Sequence, residues 1–373
     1  MKRLIAPPVK MLLLLLVAGL SVPRILAADI AFFKGKIYDL SGGKSSLEER
    51  FAAAEKEFRA AEKGTAYLTA YSFMSRHRIN SHRHEKSPIP YKVTVDDRHI
   101  ELRRTWEGEH GYNVEFGEGP YQTAILFLHR MEDKKAEMRN LRLIDPEDDY
   151  EVSGVPVYWL GDIDNAESFA FMKRTFTDGS LSLQKGLVFA ISCHDHPQAV
   201  EFLRTIAAGD YDLELRKEAV LFSVGGRRDD GAVAFLKDLY AKEKSREMKK
   251  HIIFVMSTDK TEESARELIR LAKTETDSSL RKDAIFWLGQ KASQEAVRAL
   301  KDVVDGDENS EVKKQAVFAI SQLPKDKAVP MLIDIAKTNG SPSVRKNAIF
   351  WLGQTGDERA VSFLEEILLG KKR

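Results

Sequence analysis

The chain has a single cysteine in 373 residues, Cys193, so no intramolecular disulfide can form. It also lacks an excess of one charge: 58 basic residues stand against 57 acidic ones, and a net charge of +1 gives no general attraction to nucleic acid. The sequence contains no phosphate-binding glycine loop, no nucleophile elbow and no zinc-protease helix motif. These absences favour a binding protein over an enzyme. We expect no cofactor and no nucleic-acid partner.

The amino terminus carries a short apolar run of ten residues, Met11–Leu20. It follows Lys2 and Arg3 and precedes small residues at Ala27 and Ala28, which is the layout of a secretory signal peptide. A membrane anchor is the weaker interpretation, because a bilayer span needs about 20 apolar residues. We predict a signal peptide over 1–28 and a periplasmic or secreted protein with no stable membrane insertion after cleavage.

One phrase recurs six times along the second half of the chain, at intervals of 32 or 33 residues. It is spelled LRKDAIFWLGQ at 280–290 and VRKNAIFWLGQ at 344–354, and more loosely at 183–193, 215–225, 248–258 and 312–322. A fixed period of this size indicates stacked supersecondary units. Stacks of this kind present long surfaces and favour a binding function.

Each period reads as two amphipathic helices. On a helical wheel of the first helix of one period, about 278–289, the apolar arc contains Leu280, Ala284, Ile285, Trp287 and Leu288. The second helix, 294–304, has its own apolar face, made by Ala296, Val297, Leu300, Val303 and Val304. A helix pair with one apolar side cannot bury that side alone, so neighbouring pairs must stack to complete the core.

The phrase resembles bacterial HEAT-like repeats, with the phycobilisome-lyase type as the nearest kind. The resemblance rests on the V/L-R-K-x-A-I/V opening and on a closing half such as Asp357–Val361 with Leu364. It implies an α-solenoid and no lyase activity, because it covers scaffold positions only. Counting back one period suggests a seventh, degenerate copy at Tyr158–Asp162 with Ala166–Met172. We predict a mostly α fold: a solenoid of about seven HEAT-like helix pairs over 151–373, preceded by a small α+β domain over 29–150.

Two residue types recur beside the apolar positions without being required by them. A lysine column and a phenylalanine column run along the first helices, and acidic second-helix residues such as Glu295 are possible partners for the lysines. Tyr158 would begin the aromatic column. One interpretation is packing between repeats; the other is a partner-binding ridge. The candidate ridge residues are Lys250, Phe254, Lys282, Phe286, Lys314, Phe318, Lys346 and Phe350.

The first domain has the pattern of a small α+β fold. We predict one amphipathic helix over Ser46–Lys63 and strands at Ala66–Phe73, Tyr91–Val95, His99–Trp106, Tyr121–His129 and Arg139–Ile144.

Histidines are concentrated in one segment of this domain. His77, His82 and His84 lie within eight residues, and His110 or His129 is available to complete a metal site. The intervening arginines repel a divalent ion, so a polar loop is the preferred interpretation and no metal ligand is assigned.

The pattern as a whole predicts an exported scaffold or adaptor that binds a protein partner of unknown identity on its repeat surface. The alternative is a metal-dependent hydrolase with its active groups in 66–130 and repeats that recruit substrate. No catalytic residue is assigned.

Overall fold

The computed structural model describes residues 32–42, 45–61, 64–80, 91–95, 100–103, 113–115, 120–133, 135–224, 231–291 and 293–369. The predicted signal peptide lies outside these residues. The chain divides into two compact units, Met1–Phe171 and Met172–Arg373.

The first unit contains three sheets. A five-stranded sheet has the order β2-β11-β3-β8-β9, with β2 Ile37–Asp39, β3 Ala66–Ser75, β8 Tyr121–Glu132, β9 Lys135–Ile144 and β11 Val157–Asp162. A four-stranded sheet has the order β1-β10-β5-β6, with β1 Phe33–Lys34, β5 Tyr91–Val95, β6 Ile100–Arg103 and β10 Tyr150–Val152. The third pairs β4 Arg78–Asn80 with β7 Asn113–Glu115.

The five-stranded sheet is buried on both faces. One face receives helix α1 (Leu47–Ala61), whose Phe51 ring lies 5.7 Å from Phe127 and whose Phe58 ring lies 4.6 Å from Tyr67. The opposite face forms one apolar cluster with the four-stranded sheet, including Leu68, Ala70, Leu126, Leu128, Val93 and Ile100. Helix, sheet and second sheet therefore make three layers, which confirms the predicted α+β fold of this region.

The helix and strands predicted for the first unit are found among the described residues. The helix and the five strands appear as α1, β3, β5, β6, β8 and β9, with ends shifted by a few residues. The histidine-rich segment differs from the predicted loop, because β4 begins at Arg78 and His77 is buried. His82, His84 and His110 lie outside the described residues.

The proposed seventh repeat is wrong in its first half. Tyr158–Asp162 belongs to strand β11, which runs parallel to β2 and β3 inside the five-stranded sheet. Gly161 has φ +94°, a conformation that a helix excludes. Strands β10 and β11 extend the first unit past the predicted boundary at residue 150, and Tyr158 belongs to this sheet and not to the aromatic column.

The helices after β11 confirm the predicted solenoid. Helix α2 (Asn165–Asp178) precedes six helix pairs, which we number repeats 1 to 6. The first helices are α3 Leu181–Ser192, α5 Leu213–Val224, α7 Arg246–Thr258, α9 Ser278–Lys291, α11 Ser310–Ser321 and α13 Pro342–Gln354. The second helices are α4 Pro197–Ala208, α6 Ala232–Lys242, α8 Glu262–Thr274, α10 Gln294–Gly306, α12 Lys325–Thr338 and α14 Glu358–Leu368.

The apolar phrase positions form the core of the array. Leu280, Ala284, Ile285 and Leu288 are buried in α9, and Ala296, Leu300, Val303 and Val304 are buried in α10. Side chains at several helix starts accept backbone N–H groups, as Ser293 does from Ala296 and Asn309 from Glu311 and Val312. Of the described helices, none has both the length and the apolar character to cross a membrane.

Candidate functional site

The eight predicted ridge residues, here called the Phe/Lys ridge, lie on first helices α7, α9, α11 and α13. Their exposure is graded along the array. Phe254, Phe286 and Phe318 are half-buried, whereas Phe350 in the last repeat is 56% exposed. Phe254, Phe286 and Phe318 therefore contribute both to packing between repeats and to the accessible surface, whereas Phe350 contributes mainly to the surface.

The ridge phenylalanines belong to a longer run of ring contacts. Phe254 lies 5.3 Å from Trp287 of the next repeat, and Phe318 lies 5.0 Å from Trp351. Phe286 bridges the gap between them, since it stacks on Phe318 at 6.4 Å and meets Trp287 edge-on at 4.9 Å. We call this set the aromatic ladder: Phe254, Phe286, Trp287, Phe318, Phe350 and Trp351.

One tryptophan of the ladder, Trp287, was assigned incorrectly by the helical wheel. It placed Trp287 with the core residues, but the side chain is only half-buried and lies beside Phe286. The available signal was the recurrence of Trp-Leu-Gly-Gln at 287–290 and 351–354, in repeats 4 and 6.

In each first helix, one residue directly follows the position of the phenylalanine column. The size of this residue alternates along the array. It is small in the odd repeats, where Ala190, Val255 and Ala319 stand, and large in the even repeats, where Phe222, Trp287 and Trp351 stand. In each odd repeat the column phenylalanine contacts the large ring of the following even repeat, at 5.3, 5.3 and 5.0 Å. The structural period of the ladder is therefore two repeats.

The lysine column forms ion pairs that mostly connect successive repeats. Lys185 lies 3.9 Å from Asp212, Lys217 pairs with Glu247, and Lys250 lies 3.6 Å from Asp283. Lys314 pairs at 2.7 Å with Glu311 of its own helix. These acids stand on the first helices or just before them. The second-helix residue Glu295 instead pairs with Arg298 at 3.2 Å, so the suggested partner is wrong.

Two ridge lysines differ from the other two. Lys282 is half-buried and Lys346 is exposed, and no ion pair of either residue is found within the described part of the chain. Lys250 and Lys314 are thus paired with neighbouring acids, and Lys346 is the more exposed of the two remaining ridge lysines.

In three repeats an arginine that precedes the column lysine donates to the segment that connects the helices or to the helix end beside it. Arg281 donates to the carbonyl of Glu275 at 2.6 Å and to Asp307 at 3.3 Å. Arg345 donates to the carbonyl of Asn339 at 2.7 Å, and Arg216 to that of Ala207 at 2.9 Å. We call these three side chains the turn arginines. Their contacts assign them a structural role.

Buried histidines occur in both units. His129 lies within 2.8 Å of the Thr69 hydroxyl, and burial lowers its pKa to about 3. In His194 burial is again the main cause and lowers the pKa to about 4, with Nδ1 2.9 Å from the carbonyl oxygen of Ala190. The adjacent Cys193 is buried. Over the residues that the structure describes, no group of three or more His, Cys, Asp or Glu side chains is placed to hold a metal ion.

The repeat geometry agrees with a family match. Residues 265–349 and 303–372 match the family of HEAT repeats. These residues are similar to HEAT repeats, and the described helix pairs form a HEAT-like α-solenoid. HEAT repeats are in general protein-interaction scaffolds, and the six helix pairs of the array share one phrase and one packing pattern.

Matches to solved structures extend over about half of this sequence. Lipovitellin, in a structure of its lipid–protein interactions, has a TM-score of 0.40 at 11% identity over 56% of this chain. The match spans 24% of the lipovitellin chain, about a quarter of its length. Human deoxyhypusine hydroxylase has a TM-score of 0.24 at 17% identity, covering 53% of this chain and 77% of its own. A designed cyclic homo-oligomer has a TM-score of 0.16 at 15% identity, covering 56% and 84%. No curated protein matches.

Proposed function

We propose that the chain is an exported protein-interaction scaffold that binds its partner on the Phe/Lys ridge and aromatic ladder of the HEAT array. The observation that carries the proposal is the unbroken run of ring contacts from Phe254 to Phe350, in which the phenylalanines keep part of their surface accessible. Aromatic side chains are enriched in the energetically dominant part of protein interfaces. Rings already held by neighbours lose little conformational freedom when a partner covers them.

The charges of the site agree with recognition through apolar contact. Because Lys250 and Lys314 are already paired with acids, a partner gains little by adding a carboxylate beside them. Lys346 at the repeat 6 end offers a charged anchor next to the most exposed ring, Phe350. We infer a partner segment that is mainly apolar and carries an acid near one end.

The ridge is tested by changing two ladder rings and measuring both capture and folding. Affinity capture with Phe286→Ser/Phe318→Ser is expected to lose the partner, while circular dichroism at 20 °C remains that of the parent. Since both rings pack between repeats, the thermal midpoint should fall by several degrees. The matched control is Leu181→Ser, an apolar side chain that is 43% exposed on α3 and outside the ridge. Capture by the folded double variant at the parental level would refute the proposed site.

Export is tested separately. Changing Leu14→Arg interrupts the apolar run at 11–20, which a signal peptide requires for recognition. The parent is expected in the exported fraction with an amino terminus at Asp29, and the variant is expected to stay uncleaved in the cytoplasm. An intact Met1 terminus on the parent protein would remove the export part of the proposal and leave the ridge unaffected.

A further inference from the structure

Repeats 4 and 6 share an identical heptapeptide in their first helices. Ala284–Gln290 in α9 and Ala348–Gln354 in α13 both read AIFWLGQ. The two segments therefore offer the same side chains to whatever packs against them, and only their neighbours differ.

In repeat 4 this surface is covered by repeat 5. A Cβ atom placed on Gly289 would come within 3.0 Å of the Ala319 Cβ and 3.1 Å of its carbonyl oxygen, so α11 approaches α9 closely at that glycine. Phe286 stacks on Phe318 in the same contact. On the second helix, Val303 and Val304 are 4% and 0% exposed. The interface thus joins a glycine notch to an aromatic–alanine pair.

In repeat 6 the corresponding surface is open. Nothing among the described residues lies within 4 Å of a Cβ placed on Gly353, and Phe350 is 56% exposed. The counterparts of Val303 and Val304 are Ile367 and Leu368, which are 46% and 84% exposed. We call this surface the end face: Phe350, Gly353, Val361, Ile367 and Leu368.

The end face is apolar, and the described residues leave it uncovered. A contiguous apolar patch of this kind marks an interaction site. Because its residues repeat those of a working interface 64 positions earlier in the chain, the shape of the missing occupant can be read from repeat 5.

We propose that the end face docks an α-helix pair of another polypeptide, packed on repeat 6 as repeat 5 packs on repeat 4. The first helix of that partner presents an aromatic residue followed by alanine or another small residue, as Phe318 and Ala319 do. The small residue enters the notch at Gly353, the aromatic ring stacks on Phe350, and the apolar second helix covers Ile367 and Leu368.

A second copy of the chain does not supply this occupant. The Val-Phe-Ala-Ile-Ser sequence that fits the notch occurs twice, in α3 at 188–192 and in α11 at 317–321. Both copies are already used, since Ala190 and Ala319 are 0% and 1% exposed within their own chain. These two segments are therefore not available in a second copy, and the proposal assigns the occupant to a different protein.

The geometry of the site is tested by extending the chain with its own repeat 5. Residues 307–338 are appended after Gly370, which stands 64 positions after Gly306 and keeps the register. We expect the appended pair to resist proteolysis and to raise the thermal midpoint by several degrees. Gly353→Arg should abolish both effects, whereas Gly306→Arg, at another open glycine, should not. An appended pair that is digested as readily in the unsubstituted chain as in Gly353→Arg would overturn the docking geometry.

The natural partner is tested with a photoreactive residue in place of Leu368 in the full chain. Capture in the native compartment is expected to fall at least tenfold with Gly353→Arg and to be unchanged by Gly306→Arg. The crosslinked partner peptide, sequenced by mass spectrometry, should come from a helix carrying an aromatic–small dipeptide. A crosslink to a second copy, or to a segment without this dipeptide, would contradict the proposal. Because Phe286→Ser/Phe318→Ser tests the ridge separately, failure of either surface is recognisable.

Discussion

At the scale of single residues, two of the buried histidines, His129 and His194, make the chain sensitive to acid. His129 and His194 are held neutral because burial removes the water that would stabilise the imidazolium ion. Once the chain unfolds, each ring regains an ordinary pKa near 6.5. Between the folded and unfolded values the unfolded state binds more protons, so stability falls as the pH falls.

We therefore predict that each histidine lowers the free energy of unfolding by about 1.4 kcal/mol per pH unit below about pH 6.5. The loss continues to about pH 3 for His129 and to about pH 4 for His194. Urea unfolding of the parent and of His129→Gln at pH 7.5, 6.0 and 5.0 measures the first contribution. The two curves should converge toward low pH. A constant difference across the series would show that His129 is not buried neutral.

Two glycines at equivalent positions provide a matched pair of substitutions. Gly289→Ala introduces a methyl group against the backbone of Ala319, and overpacking of this kind costs about 1–3 kcal/mol. Gly353→Ala points into open space and gains helix propensity, with a stabilisation of up to about 1 kcal/mol. Chemical denaturation of the two variants should move the midpoint in opposite directions. Equal shifts would mean that the repeat 4 notch is not closely packed.

At the scale of the elements, the turn arginines hold each first helix to the turns beside it. Arg281→Ala removes hydrogen bonds to the Glu275 carbonyl and to Asp307, and its side chain is only 15% exposed. We expect a loss of about 1–3 kcal/mol, because the turn carbonyl loses a charged donor. The neighbouring change Lys282→Ala, at a half-exposed position, should cost less than about 0.5 kcal/mol. Thermal melts compare the pair, and a larger cost for Lys282→Ala would contradict these roles.

The sequence predicted the repeats well because each phrase position has one environment. Leu280, Ala284 and Leu288 face the core in every repeat of this kind, so periodicity alone identifies them. Strand β11 was not predicted from the sequence, for a physical reason. Val157, Tyr158, Trp159 and Leu160 are all buried because the strand lies between two neighbours and two layers, and such a run has no period of 2.

The candidate site could be predicted only in part from the sequence. The phenylalanine column follows from the period, but which ring it touches depends on the distance between adjacent helices. The closest approach is local: α11 meets Gly289 at Ala319, and Phe318 meets the ring of Trp351 at 5.0 Å. Lysine partners were missed for the same reason: Asp283 is one residue after Lys282 in sequence, yet it pairs with Lys250 of the preceding repeat.

At the scale of the whole molecule, the array allows one sequence to be observed in two environments. The heptapeptide AIFWLGQ is covered on the Gly289 side in repeat 4 and open at Gly353 in repeat 6. Repeat arrays gain stability from nearest neighbours, so a repeat covered on one side is less stable than one covered on both.

Hydrogen exchange should report this difference directly. We predict slower amide exchange in 284–290 than in 348–354, with protection factors differing by at least tenfold, because local opening is easier at the end of the stack. Mass spectrometry of peptides from both segments measures the ratio, and their identical sequence removes intrinsic exchange rates as a variable. Equal protection in the isolated protein would show that repeat 6 is stabilised by something other than its neighbours.

The alternation of small and large residues along the ladder has a consequence for how such a chain can change in length. Removing one helix pair would place two bulky residues, such as Phe222 and Trp287, in successive repeats, or two small ones, Val255 and Ala319. Either join loses the small-to-large contact that the intact order makes at 5.0–5.3 Å. Deleting or duplicating 64 residues, which is two helix pairs, keeps the alternation of small and large residues and therefore keeps these ring contacts. The unit that can be inserted or deleted without loss of these contacts is thus the double repeat. Relatives with longer or shorter arrays should therefore differ by two helix pairs at a time.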